Sequence, residues 1–117
     1  MKSFHKIAAQ GEITILRIKE IPAGCTPMKA EHGRFVVGHS ETGHHHVIDA
    51  KGADVMVLDR PPEGMRILYA ILENPTSLDH LREHDKHESI ALEPGTYEIR
   101  IAREFDHYAE LARKSAD

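Results

Sequence analysis

A chain of 117 residues with 40% apolar and 29% charged side chains predicts a single globular domain over residues 1–117 rather than a disordered segment. Its net charge of −4 argues against a nucleic-acid groove, and its longest apolar run is too short to span a bilayer. The single Cys25, and an N-terminus without a long apolar stretch, predict a cytoplasmic protein that has no internal disulfide.

Short β-strands separated by Pro and Gly are predicted for the first half of the chain. The apolar alternation of residues 12–21 changes phase, which predicts a bulge in that strand before the Pro-Gly segment 21–27 ends it. Residues 34–39 and 44–49 are predicted to be the two strands of a hairpin, because residues 40–43 are of turn-forming types.

Strands rich in Val, Ile and Leu continue through the second half. They include residues 54–59 and 66–73, and the second of these is predicted to be central because it is apolar on both faces. Residues 90–92 and 97–101 alternate around a Pro-Gly turn, which predicts a hairpin with one buried face. Asp106 can cap a short C-terminal helix. Together these patterns predict a mainly β fold, a small antiparallel barrel or sandwich with that helix at its end.

Histidine is concentrated in two short windows, residues 39–46 and 80–87. They hold seven of the ten histidines, whereas an even distribution would place about 1.4 there. Imidazole binds divalent transition metals near neutral pH, and two segments that fold together can supply three or four ligands. The windows therefore predict a metal site. The alternative is that these histidines are exposed to solvent and bind nothing.

In the first window, strand alternation puts His44 and His46 on one face and His45 on the other. His44 and His46 can therefore bind the same ion. His39 precedes the predicted turn and is a reserve ligand from the neighbouring strand.

In the second window, His87 is the first candidate, because it lies nearest the strand predicted at residue 90 and ligands need a rigid scaffold. His80 follows, and His84 is a reserve. A helix over residues 76–88 would place all three on one face, whereas a strand-loop-strand path would separate them. The spacing leaves both arrangements open.

Carboxylates near the windows are further reserve ligands, since they can complete a coordination shell or accept the second N–H of a ring. The two retained are Glu41, inside the first window, and Asp49, three residues after it. A nitrogen-rich ligand set without thiolates suits a divalent transition metal, with zinc or iron favoured. No phosphate-binding loop, nucleophile elbow or catalytic triad pattern is present in the sequence, so classical hydrolase and nucleotide chemistry have no support.

The spacing Gly38-x5-His44-x-His46 resembles the opening of the first cupin motif. Cupins are small metal-holding β-barrels, so this resemblance implies a barrel with a metal site. The glutamate that follows in the family motif is absent here, and so is a clear second motif.

Most of the chain is similar to small bacterial and prophage-encoded proteins whose role is largely uncharacterised. The shared pattern is Thr42-Gly43-His44-x-His46, His80-Leu81-Arg82, Asp85-x-His87-Glu88, Leu92-x-Pro94-Gly95-x-Tyr97-Glu98 and Arg103-Glu104. The resemblance implies that His44, His46, His80 and His87 belong together, and that His45 and His84 are incidental. It implies no reaction.

Three functions fit these residues. The preferred one is a metal-binding β-domain whose ion stabilises the fold or serves a partner. The second is a small cupin-like metalloenzyme in which an open metal position takes water or substrate. The third is a phage or protein-assembly subunit that binds no metal. Pairing of exposed edge strands into a homo-oligomer stays open in each case.

Overall fold

The structure, a computed structural model, describes residues 6–10, 13–38, 45–80 and 89–102. These residues form ten strands. In chain order they are β1 (Ile7–Gln10), β2 (Ile13–Ile18), β3 (Cys25–Pro27), β4 (Arg34–Gly38), β5 (His46–Asp49), β6 (Ala53–Leu58), β7 (Met65–Leu72), β8 (Thr76–His80), β9 (Ile90–Leu92) and β10 (Gly95–Ala102).

The strands form two antiparallel sheets. The larger has the order β1-β2-β10-β7-β6-β3, and the smaller has the order β4-β5-β8-β9. Ile15, Leu68 and Ile99 of the larger sheet share one buried cluster with Ile48 and Leu78 of the smaller sheet. A mainly β fold is confirmed, and the arrangement is a sandwich. Within the described ranges neither sheet closes into a barrel.

Several predicted strands are confirmed. The hairpin of β4 and β5 forms with the expected antiparallel pairing, and β7 is central, because it lies between β10 and β6. The short strands β1 and β3 were not predicted. The predicted turn at residues 40–43 and the C-terminal helix from Asp106 lie outside the described residues.

The bulge predicted for residues 12–21 is wrong. Pairing of β2 with β10 runs without interruption from Ile13 to Ile18. The phase change arises because Leu16 and Ile18, on the outer face of the sheet, are also half-buried. A register shift does occur in β4, between Val36 and Gly38.

The hairpin predicted for residues 90–101 is also wrong. Strand β9 pairs with β8 in the smaller sheet, whereas β10 pairs with β2 and β7 in the larger one. The chain therefore crosses between sheets after Leu92. The fully buried Tyr97 secures this crossing, because its hydroxyl donates a hydrogen bond to the carbonyl of Glu93 at 2.6 Å. The predicted alternation of buried residues along β10 is confirmed.

The ambiguous segment 76–88 begins as a strand, since β8 extends from Thr76 to His80. A helix that contained His80 is therefore wrong, and the path of residues 81–88 lies outside the described ranges. Nowhere in the part of the chain that the structure describes is there a helix long and apolar enough to cross a membrane.

Candidate metal centre

Both histidine windows connect to the same end of the smaller sheet. Strand β4 finishes at Gly38, β5 starts at His46, β8 finishes at His80 and β9 starts at Ile90. Because these neighbouring strands are antiparallel, all four of these termini lie at one end. The topology therefore brings His46 and His80 to the same end of the sheet, although they are more than thirty residues apart in the sequence.

Position 46 lies directly between positions 38 and 80 in the sheet. The register pairs Gly38 with His46 on one side and His46 with His80 on the other. Residues directly opposite in an antiparallel pair share a face, and their Cβ atoms are about 5 Å apart. His46 and His80 are thus cross-strand neighbours, a relationship that the sequence does not reveal.

This shared face is the inner one. Ile48 and Leu78 belong to the buried cluster between the sheets, and positions 46 and 80 are each two residues away along the same strands. Since side chains alternate with a period of two, positions 46 and 80 lie on the inner face as well. The His46 side chain is 4% exposed. The candidate site is therefore at one end of the sandwich, between its two sheets.

A glutamine from the other sheet contacts His46. Gln10, the last residue of β1, is 2% exposed, and its Oε1 lies 2.7 Å from Nδ1 of His46. Its Nε2 donates a 2.9 Å hydrogen bond to the carbonyl of Leu78 in β8. One side chain of the larger sheet thus binds two neighbouring strands of the smaller sheet. Gln10 was not among the predicted site residues, and a polar residue ending the apolar run Ile7–Ala9 is the only signal that the sequence offers.

Gly38 leaves room for the ring of His46. A Cβ atom at position 38 would lie 3.3 Å from Cδ2 of His46 and 2.7 Å from Cδ1 of Ile13. The second distance is shorter than real Cβ contacts, so any larger residue would force Ile13 to move. The first residue of the cupin-like spacing therefore has a packing role beside the last.

Only some of the predicted ligands lie within the described residues. His46 is fully described, and the backbone of His80 is placed beside it. His45 is half-buried just before β5. Asp49 is exposed at the opposite end of β5, about 10 Å along the strand from His46, where its Oδ1 accepts a hydrogen bond from the backbone N–H of Lys51. The predicted ligands that lie outside the described residues are His44, His87, His39, His84 and Glu41.

Among the described residues alone, no three histidine, cysteine, aspartate or glutamate side chains are grouped to hold a metal ion. Five of the predicted ligands lie outside those ranges. The described part of the site is therefore one buried imidazole, its glutamine partner and the backbone position of a second histidine.

Comparison with known proteins identifies one family. A model described as a domain of unknown function, DUF8820, matches residues 9–102. No curated protein and no solved structure matches the chain.

Proposed function

Since the chain belongs to the DUF8820 family, whose description names no function, we propose from its own residues that it is a metal-binding β-domain. The site is at the end of the smaller sheet where β5 begins at His46 and β8 ends at His80. Its ligands are His44, His46, His80 and His87, and its ion is a divalent transition metal, zinc or iron by preference.

The observation that supports this proposal most directly is the register of β5 and β8. It pairs the backbone of His46 directly with that of His80. Cross-strand Cβ atoms about 5 Å apart suit two imidazoles that bind one ion at about 2.1 Å each. A buried imidazole in hydrogen-bond contact with an amide oxygen is also the usual state of a metal-ligating histidine.

The other two ligands are close along the chain. His44 is two residues from His46, and His87 is two residues from Ser89, which precedes β9. Two residues span at most about 7 Å of backbone. Both histidines are therefore separated by only two residues from described positions at the end of the sheet where β5 and β9 begin.

Four imidazoles around one ion would fill its coordination shell, and a closed tetrahedral shell is typical of structural zinc sites. Such an ion stabilises the folded state, because the unfolded chain has no preformed site. Here the ion would link β5, β8 and β9 at one end of the smaller sheet. The β4–β5 and β8–β9 connections both begin and finish at that end. The proposed role is thus to hold the histidine-bearing connections against the sandwich.

The test is elemental analysis of untagged native protein, with alanine at each of the four histidines in turn. We expect about one equivalent of metal in the wild type and clearly less in each variant, because loss of a ligand weakens metal binding by at least about tenfold. His32→Asn is the matched control. It removes an exposed imidazole from the turn before β4, and asparagine tolerates the left-handed φ of 51° found there.

A second measurement compares thermal unfolding with and without a chelator. A bound ion should raise the melting temperature of the wild type, so the chelator should lower it. The melting temperature of His46→Ala should be the same with and without the chelator. Native protein without metal, together with chelator-independent unfolding, would refute the proposal. Loss of metal in only three of the four variants would mean that the ion has an open position, as a cupin-like enzyme requires.

A further inference from the structure

We propose that Gln10 is a positioning residue, which holds His46 as the Nδ1–H tautomer and so presents Nε2 to the metal ion. This inference rests on the proposed function for the identity of the ligand. Its structural part, the tautomer, concerns the metal-free protein and can be tested there.

The orientation of the Gln10 amide follows from its contact with Leu78. A backbone carbonyl only accepts hydrogen bonds, so the amide group 2.9 Å from it has to be the NH₂. The reversed amide would place two oxygens against each other inside the protein. Oε1 of Gln10 is therefore the atom that faces His46.

That orientation sets the proton on the imidazole. An amide oxygen only accepts hydrogen bonds, so Nδ1 of His46, 2.7 Å away, has to be the donor. In a neutral ring the lone pair then resides on Nε2. Metal ions bind the deprotonated nitrogen, so His46 is prepared to ligate through Nε2.

The arrangement is rigid because it connects two sheets. Gln10 ends β1 in the larger sheet, whereas His46 and Leu78 lie on adjacent strands of the smaller sheet. Both polar side chains are almost fully buried, where an unsatisfied donor or acceptor costs about 1–3 kcal/mol. Packing of the sheets thus determines the direction of a ligand nitrogen. In return, an ion on His46 would strengthen the contact between the sheets.

The first experiment measures the ring-nitrogen chemical shifts of His46 by NMR in metal-free protein, with His46→Ala used for assignment. The expected result is a neutral ring protonated at Nδ1. A neutral ring protonated at Nε2 overturns the inference, whether or not the protein binds metal.

The second experiment compares zinc affinity by calorimetry in Gln10→Leu and Gln10→Glu. Leucine fills a similar volume but accepts no hydrogen bond, and we expect it to abolish the tautomer preference and to weaken zinc binding about 10–100-fold. Glutamate keeps an acceptor for Nδ1, so it should retain the Nδ1–H tautomer, and its affinity should exceed that of Gln10→Leu. Its second oxygen faces the Leu78 carbonyl without a donor, so this variant should be less stable than the wild type. Val55→Ala is the control for general destabilisation, since it truncates a 2%-exposed core residue of β6 and should leave the affinity unchanged.

The outcomes separate the two proposals. If Gln10→Leu binds zinc as tightly as the wild type, Gln10 is not a positioning residue, although the metal site stands. If the wild type binds no metal, the proposed function fails, and the ring-nitrogen shifts still decide whether Gln10 sets the tautomer. An affinity loss of the same size in Val55→Ala would assign the effect to stability and overturn the inference.

Discussion

Gly38 and His46 are paired across the β4–β5 hairpin, and a methyl group at position 38 would crowd both the His46 ring and Ile13. A Cβ at position 38 would lie 3.3 Å from the His46 ring and 2.7 Å from Cδ1 of Ile13. Gly38 also sits at the register shift in β4. The glycine therefore links the shape of the core to the placement of the buried histidine.

Gly38→Ala should lower the free energy of unfolding by about 1–3 kcal/mol, because the added methyl overpacks the site. It should also weaken metal binding, since the added methyl group displaces the His46 ring. Adding Ile13→Val removes the Cδ1 atom at the shorter distance, so the double variant should be more stable than the sum of the single effects predicts. Urea unfolding of the four proteins in this cycle measures the coupling.

The control for Gly38→Ala is the same substitution at Gly52. Gly52 has a φ of 68°, and a Cβ there would meet the side-chain amide of Asn74. It follows β5 at the end opposite to His46. Gly52→Ala should destabilise the protein without changing its metal content. Equal metal loss in both variants would contradict a local effect of Gly38.

Tyr97→Phe should lower the free energy of unfolding by about 1 kcal/mol, because the Glu93 carbonyl loses its 2.6 Å hydrogen bond. The ring stays in place, so the contact with the Arg17 guanidinium 5.4 Å from its centroid is kept. Tyr69→Phe is the matched control. Its hydroxyl donates a longer hydrogen bond, 3.2 Å, to Glu98 in the same sheet, and we expect the loss of this longer bond to cost less. Urea denaturation at neutral pH compares the two, and a larger effect at Tyr69 would argue against the crossing role of Tyr97.

Alkaline pH should destabilise the protein through the same two tyrosines. Burial raises the pKa of Tyr97, and burial together with the Glu98 carboxylate raises the pKa of Tyr69. Above about pH 10 the unfolded chain loses these protons while the folded protein keeps them, so stability falls as pH rises. Urea midpoints between about pH 8 and about pH 11 should fall less steeply in the Tyr69→Phe, Tyr97→Phe double variant. Equal slopes in both proteins would contradict this account.

The sequence predicts strands well where the apolar pattern is local. Strands β6 and β7 follow from their runs of Val, Ile and Leu, and β4 and β5 follow from a turn between alternating segments. It predicts pairing poorly where partners depend on tertiary structure. The alternation of β10 would look the same if β10 formed a hairpin with β9. In the structure β10 lies in the larger sheet and β9 in the smaller one, and Ile99 belongs to the core that the two sheets share.

The candidate site shows the same limit. Strand alternation predicts His46 as a site residue, and in the structure its side chain is buried beside Gln10. Its two partners could not be derived in that way. His80 meets His46 only through the register of β5 with β8, and Gln10 meets it only because the sheets pack face to face. Contacts between sheets have no periodic signature in a single sequence.

The register of β5 and β8 can be tested without any metal. In a Cys25→Ser background, His46→Cys combined with His80→Cys should form a disulfide under mild oxidation, because directly opposite residues have Cα atoms about 4.5–5.5 Å apart, within the disulfide range. The matched control is His46→Cys with Asp79→Cys. Position 79 pairs with Val47 instead and lies on the other face of the sheet. Electrophoresis and intact mass with and without reductant detect the cross-link. Cross-linking of the control pair, but not of the first pair, would mean that the strands are shifted by one residue. Such a shift would move His80 to the outer face and remove the structural basis of the metal site.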